Sequence, residues 1–337
     1  MVAVRNFGSY EGKRVDQFTL TSTTGAEVDI LNWGVVVRDW RVPVKGGAKR
    51  TVVLGFDNFD DYPKHSPHLG ALAGRIANRV RGASFELDGK TYTLPANDGK
   101  NSLHGGPDGI GRLVWEAEPS DATNSVVFSL TSPDGHSGYP GTVKMKATYR
   151  LDGNTLRLEL GATTDRPTPL SLVQHQYFNL GTTDDVLDHT YWMATHAYTE
   201  SGPDLVPTGN IFEAKPGSAR DFTAPRTLRD AAGKPIGYDG NYVLDAGRNL
   251  KDPIAVVTAP GNDMTLKLWS DRPGLQFYNA MMTNVPVPGL NGRHYGMYSG
   301  FCLEDQAFPD AVHHPHFPSI IITPDRPYSH WCEFEIA

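Results

Sequence analysis

The sequence of 337 residues contains little cysteine, no long apolar run and no basic cluster. Its two cysteines, Cys302 and Cys332, match neither a disulfide framework nor the paired spacing of a zinc site, so we expect two reduced, buried thiols. No segment approaches the roughly 20 apolar residues that span a bilayer, which argues against a membrane protein. The net charge of −7 argues against a nucleic-acid partner.

Further absences limit the chemistry and the location of the protein. The sequence has neither a G-x-x-x-x-G-K-S/T loop nor a G-x-G-x-x-G turn after a strand, so we expect no nucleotide cofactor. Residues 1–16 lack the apolar core of a signal peptide, which predicts a cytoplasmic protein. Since no linker-like change of composition divides the chain, we expect one domain over residues 1–337.

Turn residues and alternating apolar residues dominate what is present. The 35 glycines and 25 prolines suit a chain with many turns. Apolar and polar residues alternate on both sides of Asp152-Gly153 and of Asp88-Gly89, which predicts two β-hairpins. Further strands are predicted in the segments VVLGF, NSVVFSLTS, MTLKLWSD, LQFYNA, SIIIT and WCEFEI. With only short helices expected, near residues 66–80 and 227–233, these patterns predict an all-β sandwich or barrel.

The segment VQHQYFNL, residues 173–180, contains the first candidate for chemistry. If it is a strand, His175 shares a face with Tyr177 and Asn179, and the two flanking glutamines point to the other face. Neighbours that form hydrogen bonds are unusual for a histidine that only fills a core. A packed residue, a metal ligand and an acid–base catalyst all remain open on this pattern alone.

A second candidate, Glu304, lies in the segment SGFCLEDQ near the end of the chain. In a strand it shares a face with Cys302, whereas Leu303 points to the opposite face. Burial would raise the pKa of this carboxyl group and make it a usable base near neutral pH, whereas an exposed glutamate would be inert. We interpret Cys302 as a buried thiol and not as a nucleophile.

Weaker signals come from three other segments. His104 in NSLHGG precedes two glycines that let a backbone approach a ligand closely, although an incidental turn histidine is equally compatible. Adjacent Asn78 and Arg79 offer several donors to a hydroxyl-rich ligand. The histidines of HHPHF resemble a metal cluster, but a proline interrupts any helix that would align them, so we interpret them as incidental: His313, His314 and His316.

These motifs, taken in order, resemble the aldose 1-epimerase (galactose mutarotase) family over nearly the whole chain. The resemblance rests on the following segments: GRIANRV, FELDGKTYTLPANDGKNSLHGG, SGYPG, VQHQYFNLG, GYDGNYVL, LQFYNA, SGFCLEDQAFPDAV, FPS and TPDRPYSHWCEFEI. It implies a large single-domain β-sandwich of the galactose mutarotase type, with an open face that binds a monosaccharide. It also implies interconversion of the α and β anomers of a free aldose, by a monomer or homodimer.

The resemblance further implies roles for individual residues. His175 would be the general acid and Glu304 the general base, and neither a cofactor nor a metal would be needed. The sugar would be held by five further residues: Asn78, Arg79, His104, Asp239 and Gln276. The chemistry of the two catalytic groups agrees, because mutarotation needs a base for the hydroxyl proton at C1 and an acid for the ring oxygen. On this reading His175 is an imidazolium with a pKa near 6.5.

Three departures from the family pattern bear on specificity. Gln174 and Gln176 flank His175 where the family has asparagine and a small residue. The segment GIGRLVW replaces a Gly-Phe-Asp segment beside the pocket. His313 and His314 stand where amides are common, which we interpret as surface variation. The alternatives to a mutarotase are a sugar-binding module without turnover, a glycoside hydrolase and a hexose-6-phosphate epimerase.

Overall fold

The computed structural model describes residues 1–261 and 263–337, and most of its regular structure is strand. In these ranges the strands are β1 Ala3–Tyr10, β2 Lys13–Thr21, β3 Glu27–Leu31, β4 Val37–Pro43, β5 Lys49–Thr51, β6 Leu72–Ala73, β7 Arg79–Val80, β8 Ser84–Leu87, β9 Lys90–Thr93, β10 Ser102–Leu103, β11 Glu116–Ser120, β12 Ser125–Ser132, β13 Val143–Asp152, β14 Thr155–Thr164, β15 Thr168–Pro169, β16 Val173–Gln174, β17 Thr190–Met193, β18 Thr195–Ser201, β19 Pro207–Glu213, β20 Asp239–Leu244, β21 Ala255–Thr258, β22 Thr265–Ser270, β23 Gly274–Tyr278, β24 Cys302–Gln306, β25 Ile321–Ile322 and β26 Tyr328–Ile336.

Helical structure is limited to single turns in the described part of the chain. The one α-helix, α1, is Asp61–His65. The 3₁₀ turns are Arg81–Ala83, Ile110–Arg112, His136–Gly138, Leu290–Gly292 and Ala311–His313. Among the described residues, no helix has both the length and the apolar character to cross a membrane.

Antiparallel sheets form the layers of the molecule. The largest has eight strands in the order β11-β12-β13-β14-β26-β22-β21-β17, and two others have five strands, β1 to β5 in sequence and β19-β18-β20-β23-β24. The inward side chains of all three sheets meet in one hydrophobic cluster, to which Trp40, Leu158 and Phe277 contribute one residue each from a different sheet. This arrangement confirms the predicted all-β sandwich.

Both predicted hairpins are present. Strands β8 and β9 are joined by Asp88 and Gly89, whose φ angles of 52° and 73° are the left-handed values of a type I′ turn. In the longer hairpin, Asp152 pairs with Thr155, so the turn begins one residue later than expected, at Gly153. Every apolar position of the pattern in β13 is buried, because one face of this strand covers the core.

Several local predictions are wrong, and long-range hydrogen bonds explain why. Residues 66–80 form no helix, since the backbone donors of Gly70 and Ala77 bind the carbonyl groups of His175 and Ser171. Residues 227–233 are also non-helical, and in VVLGF only Val53 forms a bridge. The segment SIIIT contributes only the two residues of β25.

Residues 173–180 are a strand only at β16. Beyond it the chain leaves the ladder, and Phe178 forms single bridges to Val53 and Phe301. The predicted alternation nevertheless persists, because the rings of His175 and Tyr177 stack with centroids 5.0 Å apart. Both cysteines are free and buried, as expected.

Candidate active site

His175 and Glu304, which lie 129 positions apart in the chain, meet in a buried site. The Nε2 atom of His175 is 3.6 Å from Oε2 of Glu304, and both side chains are almost fully buried. The amide of Gln174 donates to the carbonyl oxygen of Leu303 at 3.3 Å and so joins β16 to β24. This contact fixes the two segments relative to each other.

The ring of His175 is held on several sides. Its Nδ1 lies 3.5 Å from the sulfur of Cys302, and the ring of Tyr177 stacks on it at an interplanar angle of 20°. These contacts leave Nε2 free to face Glu304. Burial, together with nearby His68, lowers the pKa of His175 to about 3. The expected imidazolium with a pKa near 6.5 is therefore not found, because desolvation disfavours its charge.

Glu304 belongs to a row of polar side chains on one face of the sheet. In the register, Glu304 of β24 lies opposite Gln276 of β23, which in turn lies opposite Asn241 of β20. Asp239 is two residues from Asn241 and therefore shares this face, whereas Leu275 and Phe277 point into the core.

Burial raises the pKa of Glu304 well above 4.5, and the nearby carboxyl group of Asp239 raises it further. Its Oε2 atom makes no hydrogen bond to any described residue. The folded protein therefore contains a buried carboxyl oxygen, Oε2 of Glu304, that has no hydrogen-bonding partner among the described residues. Such an atom is costly unless it serves a ligand or a reaction.

Asp239, Gln276 and Arg79 form a hydrogen-bonding group beside Glu304. The amide of Gln276 donates to Oδ1 of Asp239 at 2.5 Å, and Nη1 of Arg79 is 3.7 Å from Oδ2 of Asp239. Arg79 also donates from Nε to Asp98 at 2.7 Å. Burial raises the pKa of Asp239, an effect that Arg79 opposes. The group offers donors and acceptors of the kind that hydroxyl groups need.

His104 and Asn78 bind each other across the small β7–β10 sheet. The backbone N–H of Asn78 donates to Nδ1 of His104 at 3.2 Å, and the backbone N–H of His104 donates to the carbonyl of Asn78 at 2.9 Å. Since Nδ1 accepts a hydrogen bond, the proton of the neutral ring is on Nε2. Burial lowers the pKa of His104 well below 6.5, so this ring is a neutral donor. Its centroid is 5.1 Å from that of His175.

All seven residues of the sequence-based site thus lie in one region. Two neighbours were missed: Asp98, the partner of Arg79, and His68, whose ring centroid is 4.6 Å from that of His104. Neither residue belongs to a recognisable sequence motif, because each comes close to the site only when its loop folds. The two glutamines beside His175 point away from it as expected, and Gln176 donates to the hydroxyl of Tyr149 at 3.2 Å.

The site also has the composition of a metal site. The ligand atoms of His104, His175 and Glu304 all lie within 4.8 Å of one another. Two neutral imidazoles and a carboxylate are a common ligand set for transition metals. The expectation that no metal is needed remains a prediction, tested below by chelation.

The histidines of HHPHF bind protein groups, and two of them, His313 and His314, approach the same carboxyl group of Asp310. Nδ1 of His313 is 2.6 Å from Oδ1 of Asp310, Nε2 of His314 is 3.3 Å from the carbonyl oxygen of Pro207, and Nε2 of His316 is 2.8 Å from that of Gly209. The interpretation as surface variation is wrong for His314. This side chain is buried, because its ring packs on Phe317 as well as binding Pro207.

A buried polar network lies behind the site. Oδ2 of Asp305 accepts hydrogen bonds from Ser270 and His330, each at 2.6 Å. The hydroxyl of Tyr328 lies 3.3 Å from His330 and accepts a hydrogen bond from the backbone of Leu172 at 3.2 Å. Strand β26 thereby supports both β24 and the segment that leads to His175.

We expect Asp305→Ala to lower the free energy of unfolding by roughly 3–5 kcal/mol, because it leaves Ser270 and His330 buried without their acceptor. Urea denaturation followed by circular dichroism measures this loss. Asp305→Asn retains a carbonyl acceptor of similar size and should lose clearly less. A loss below about 1 kcal/mol for the alanine variant would show that the network adds little to stability.

Comparison with known proteins adds independent information. The profile of the family described as Aldose 1-epimerase matches residues 16–335. A galactose mutarotase of Bos taurus is 37% identical over 333 residues, which cover 96% of this chain and 95% of the relative. An aldose 1-epimerase of Escherichia coli is 30% identical, with 96% of each chain covered.

Solved structures agree with the fold. The GalM/aldose epimerase homologue from C. elegans superposes with a TM-score of 0.89 at 27% identity, covering 95% of this chain and 98% of that one. A galactose 1-epimerase from Lactobacillus acidophilus gives a TM-score of 0.86 at 27% identity, covering 100% of this chain and 98% of that one. Such scores over nearly full lengths mean that the whole sandwich is shared.

Proposed function

The chain belongs to the aldose 1-epimerase family and is a sugar-binding isomerase with mutarotase activity, and we propose that Glu304 is its general base and His175 its general acid. The observation that carries the assignment is the 3.6 Å approach of Nε2 of His175 to Oε2 of Glu304 in a buried site. An acid next to a base is what ring opening requires. A site that only bound sugar would not need a histidine nitrogen placed next to that carboxyl group.

His175 and Glu304 can provide both the acid and the base of the reaction while sharing a single proton. The low pKa of His175 and the raised pKa of Glu304 both favour placing that proton on the carboxyl group. Transfer across the short gap gives the carboxylate and the imidazolium. Sugar hydroxyl groups can donate to a carboxylate, so substrate binding favours this charged form.

The reaction then proceeds without a covalent intermediate. Glu304 takes the proton of the C1 hydroxyl group while His175 donates a proton to the ring oxygen. The bond between C1 and the ring oxygen breaks and leaves the free aldehyde. Rotation about C1–C2 presents the other face of the carbonyl group. Reclosure returns both protons, and the two residues exchange roles.

The other five residues are proposed to hold the sugar. His104 donates from Nε2 on the side of His175, where negative charge develops on the ring oxygen. Asp239 and Gln276 bind sugar hydroxyl groups beside Glu304. Arg79 and Asn78 complete this side of the pocket. Arg79 is already paired with two carboxylates, which makes it a poor ligand for phosphate and disfavours a hexose-6-phosphate substrate.

The family and the site also support proposals about the domain, the location, the oligomeric state and the substrate of the protein. We infer a single domain over residues 1–337, acting in the cytoplasm as a monomer or homodimer on galactose, glucose or a similar free aldose. We also infer that catalysis requires neither a cofactor nor a metal, nor any nucleic-acid or membrane partner. Glycoside hydrolysis is disfavoured, because it usually employs two carboxyl groups, whereas the partner of Glu304 is a histidine.

Polarimetry tests the proposed function directly. Freshly dissolved α-D-galactose or α-D-glucose should reach its equilibrium rotation much faster with the protein than in buffer. Prior treatment with EDTA, followed by its removal, should leave the rate unchanged. No acceleration on any aldose would leave only a sugar-binding module. Loss of the rate with EDTA and recovery with added Zn²⁺ would instead assign a metal to His104, His175 and Glu304.

A further inference from the structure

A third histidine lies in the active site. His68 follows α1, and its ring centroid is 4.6 Å from that of His104 and 6.0 Å from that of His175. It is only partly buried, unlike the other two. From this cluster of three rings we propose that His68 is a further sugar-contacting residue that helps to determine which aldose is preferred. The inference rests on the proposed function and adds a specificity residue to it.

The backbone places His68 firmly in the site. The hydroxyl of Tyr177 donates to the carbonyl of Pro67 at 3.0 Å. On the other side, Gly70 donates to the carbonyl of His175 and the backbone of His175 donates to Ala71, each at 2.9 Å. The loop that carries His68 is therefore tied on both sides to the segment of the catalytic histidine.

The conformation of this loop leaves little alternative for the ring. His68 has a φ of 68°, a left-handed value that few residues other than glycine adopt, although asparagine, aspartate and histidine adopt it more often than the rest. Gly70 follows with a φ of 67°, and a side chain there would overlap the carbonyl oxygen of Val37. The strained turn brings the imidazole against His104. Strain of this kind concentrates where a side chain is needed in one position.

The ring of His68 is chemically suited to a hydroxyl group. Burial and the charge of Arg112 lower its pKa to about 4, so the ring is neutral at physiological pH. A neutral imidazole has one donor and one acceptor nitrogen, which matches a hydroxyl group. Among the described residues, neither nitrogen of His68 has a hydrogen-bonding partner that would occupy it.

Arg112 connects His68 to the segment in which this sequence departs from its family. It belongs to GIGRLVW, residues 109–115, and its guanidinium donates to the carbonyl of Pro63 in α1 at 2.7 Å. The departing segment and the loop that carries His68 are therefore joined. The altered segment thus acts on specificity by supporting His68.

Kinetics of the full chain on a panel of aldoses tests this role. His68→Phe keeps a ring but removes both nitrogens, and KM should rise roughly fivefold to thirtyfold for the preferred aldose while kcat changes less than about threefold. His68→Asn retains a donor and an acceptor and tolerates the left-handed backbone, so it should recover part of the loss. His196 is exposed, so His196→Phe is the matched control and should leave kcat and KM unchanged.

Deoxygenated sugars identify the contact. One analogue that lacks a single hydroxyl group should have nearly the same KM with the wild type and with His68→Phe. If His68→Phe does not fold, His68→Gly fits the same backbone and should raise KM similarly. A KM within twofold of the wild type for every aldose would overturn the inference while leaving the mutarotase intact. An inactive wild type would instead overturn the proposed function.

Discussion

Replacing Glu304 by glutamine is expected to lower kcat for anomer exchange by roughly 10²- to 10⁴-fold, the usual contribution of a positioned general base. Glutamine has the same shape and can still bind a hydroxyl group, but it cannot accept the C1 proton. Glucose and galactose should therefore still bind, with KM changed by less than about tenfold. Polarimetry at saturating sugar measures kcat.

The same substitution is expected to stabilise the fold at neutral pH. Because folding raises the pKa of Glu304 above 4.5, the folded protein binds more protons than the unfolded chain above that pH. Glu304 therefore contributes a penalty that grows as pH rises through the interval between the two pKa values. Glu304→Gln has no such penalty, so the difference in Tm between variant and wild type should increase from pH 5 to pH 8.

A matched control separates catalysis from general effects of losing a charge. Glu159, exposed on β14, lies outside the site, and Glu159→Gln should exchange anomers at the wild-type rate. If Glu304→Gln kept more than about a third of wild-type kcat, the assignment of the base would be wrong. A fall in Tm at pH 8 would contradict the argument from burial.

Replacing His175 by asparagine should lower kcat by a similar amount, roughly 10²- to 10⁴-fold, because no group then donates a proton to the ring oxygen. Asparagine can still hydrogen-bond to the sugar, so binding should persist. Calorimetric titration with galactose measures the retained affinity. His196→Asn on the exposed surface serves as the control and should behave as the wild type.

The pH profile of the wild type distinguishes a shared proton from an ordinary imidazolium. Since burial lowers the pKa of His175 to about 3, kcat/KM should show no step near pH 6.5. Activity should decline at alkaline pH, when the single proton of the pair is lost through the raised pKa of Glu304. A clear loss as pH rises through about 6.5 would mean that free His175 titrates normally.

The sequence allowed good prediction of features that depend on local patterns. The hairpin at Asp88 and the buried face of β13 follow from turn chemistry and from an alternation of period two. The seven proposed site residues come from ordered motifs, and strand register places three of them, Asp239, Gln276 and Glu304, on one face of β20, β23 and β24. Such features depend only on residues close together in the sequence or on the register of one pair of strands.

Other features depend on contacts that no local pattern records. Residues 66–80 have apolar content suited to a helix, yet their backbone donors bind the segment around His175. The pKa of His175 was expected near 6.5, but desolvation by distant elements lowers it to about 3. His68 lacks a motif, since its position depends on a left-handed turn held by Tyr177 and His175.

His175 and Glu304 are proposed to act as one unit that shares a proton. The most direct measurement is kcat of the double variant His175→Asn/Glu304→Gln beside the two single variants, by exchange NMR of the galactose anomers. Residues that act together give losses that do not multiply. We predict a double variant within about tenfold of the slower single variant. A double variant slower by the product of the two single losses would contradict the claim.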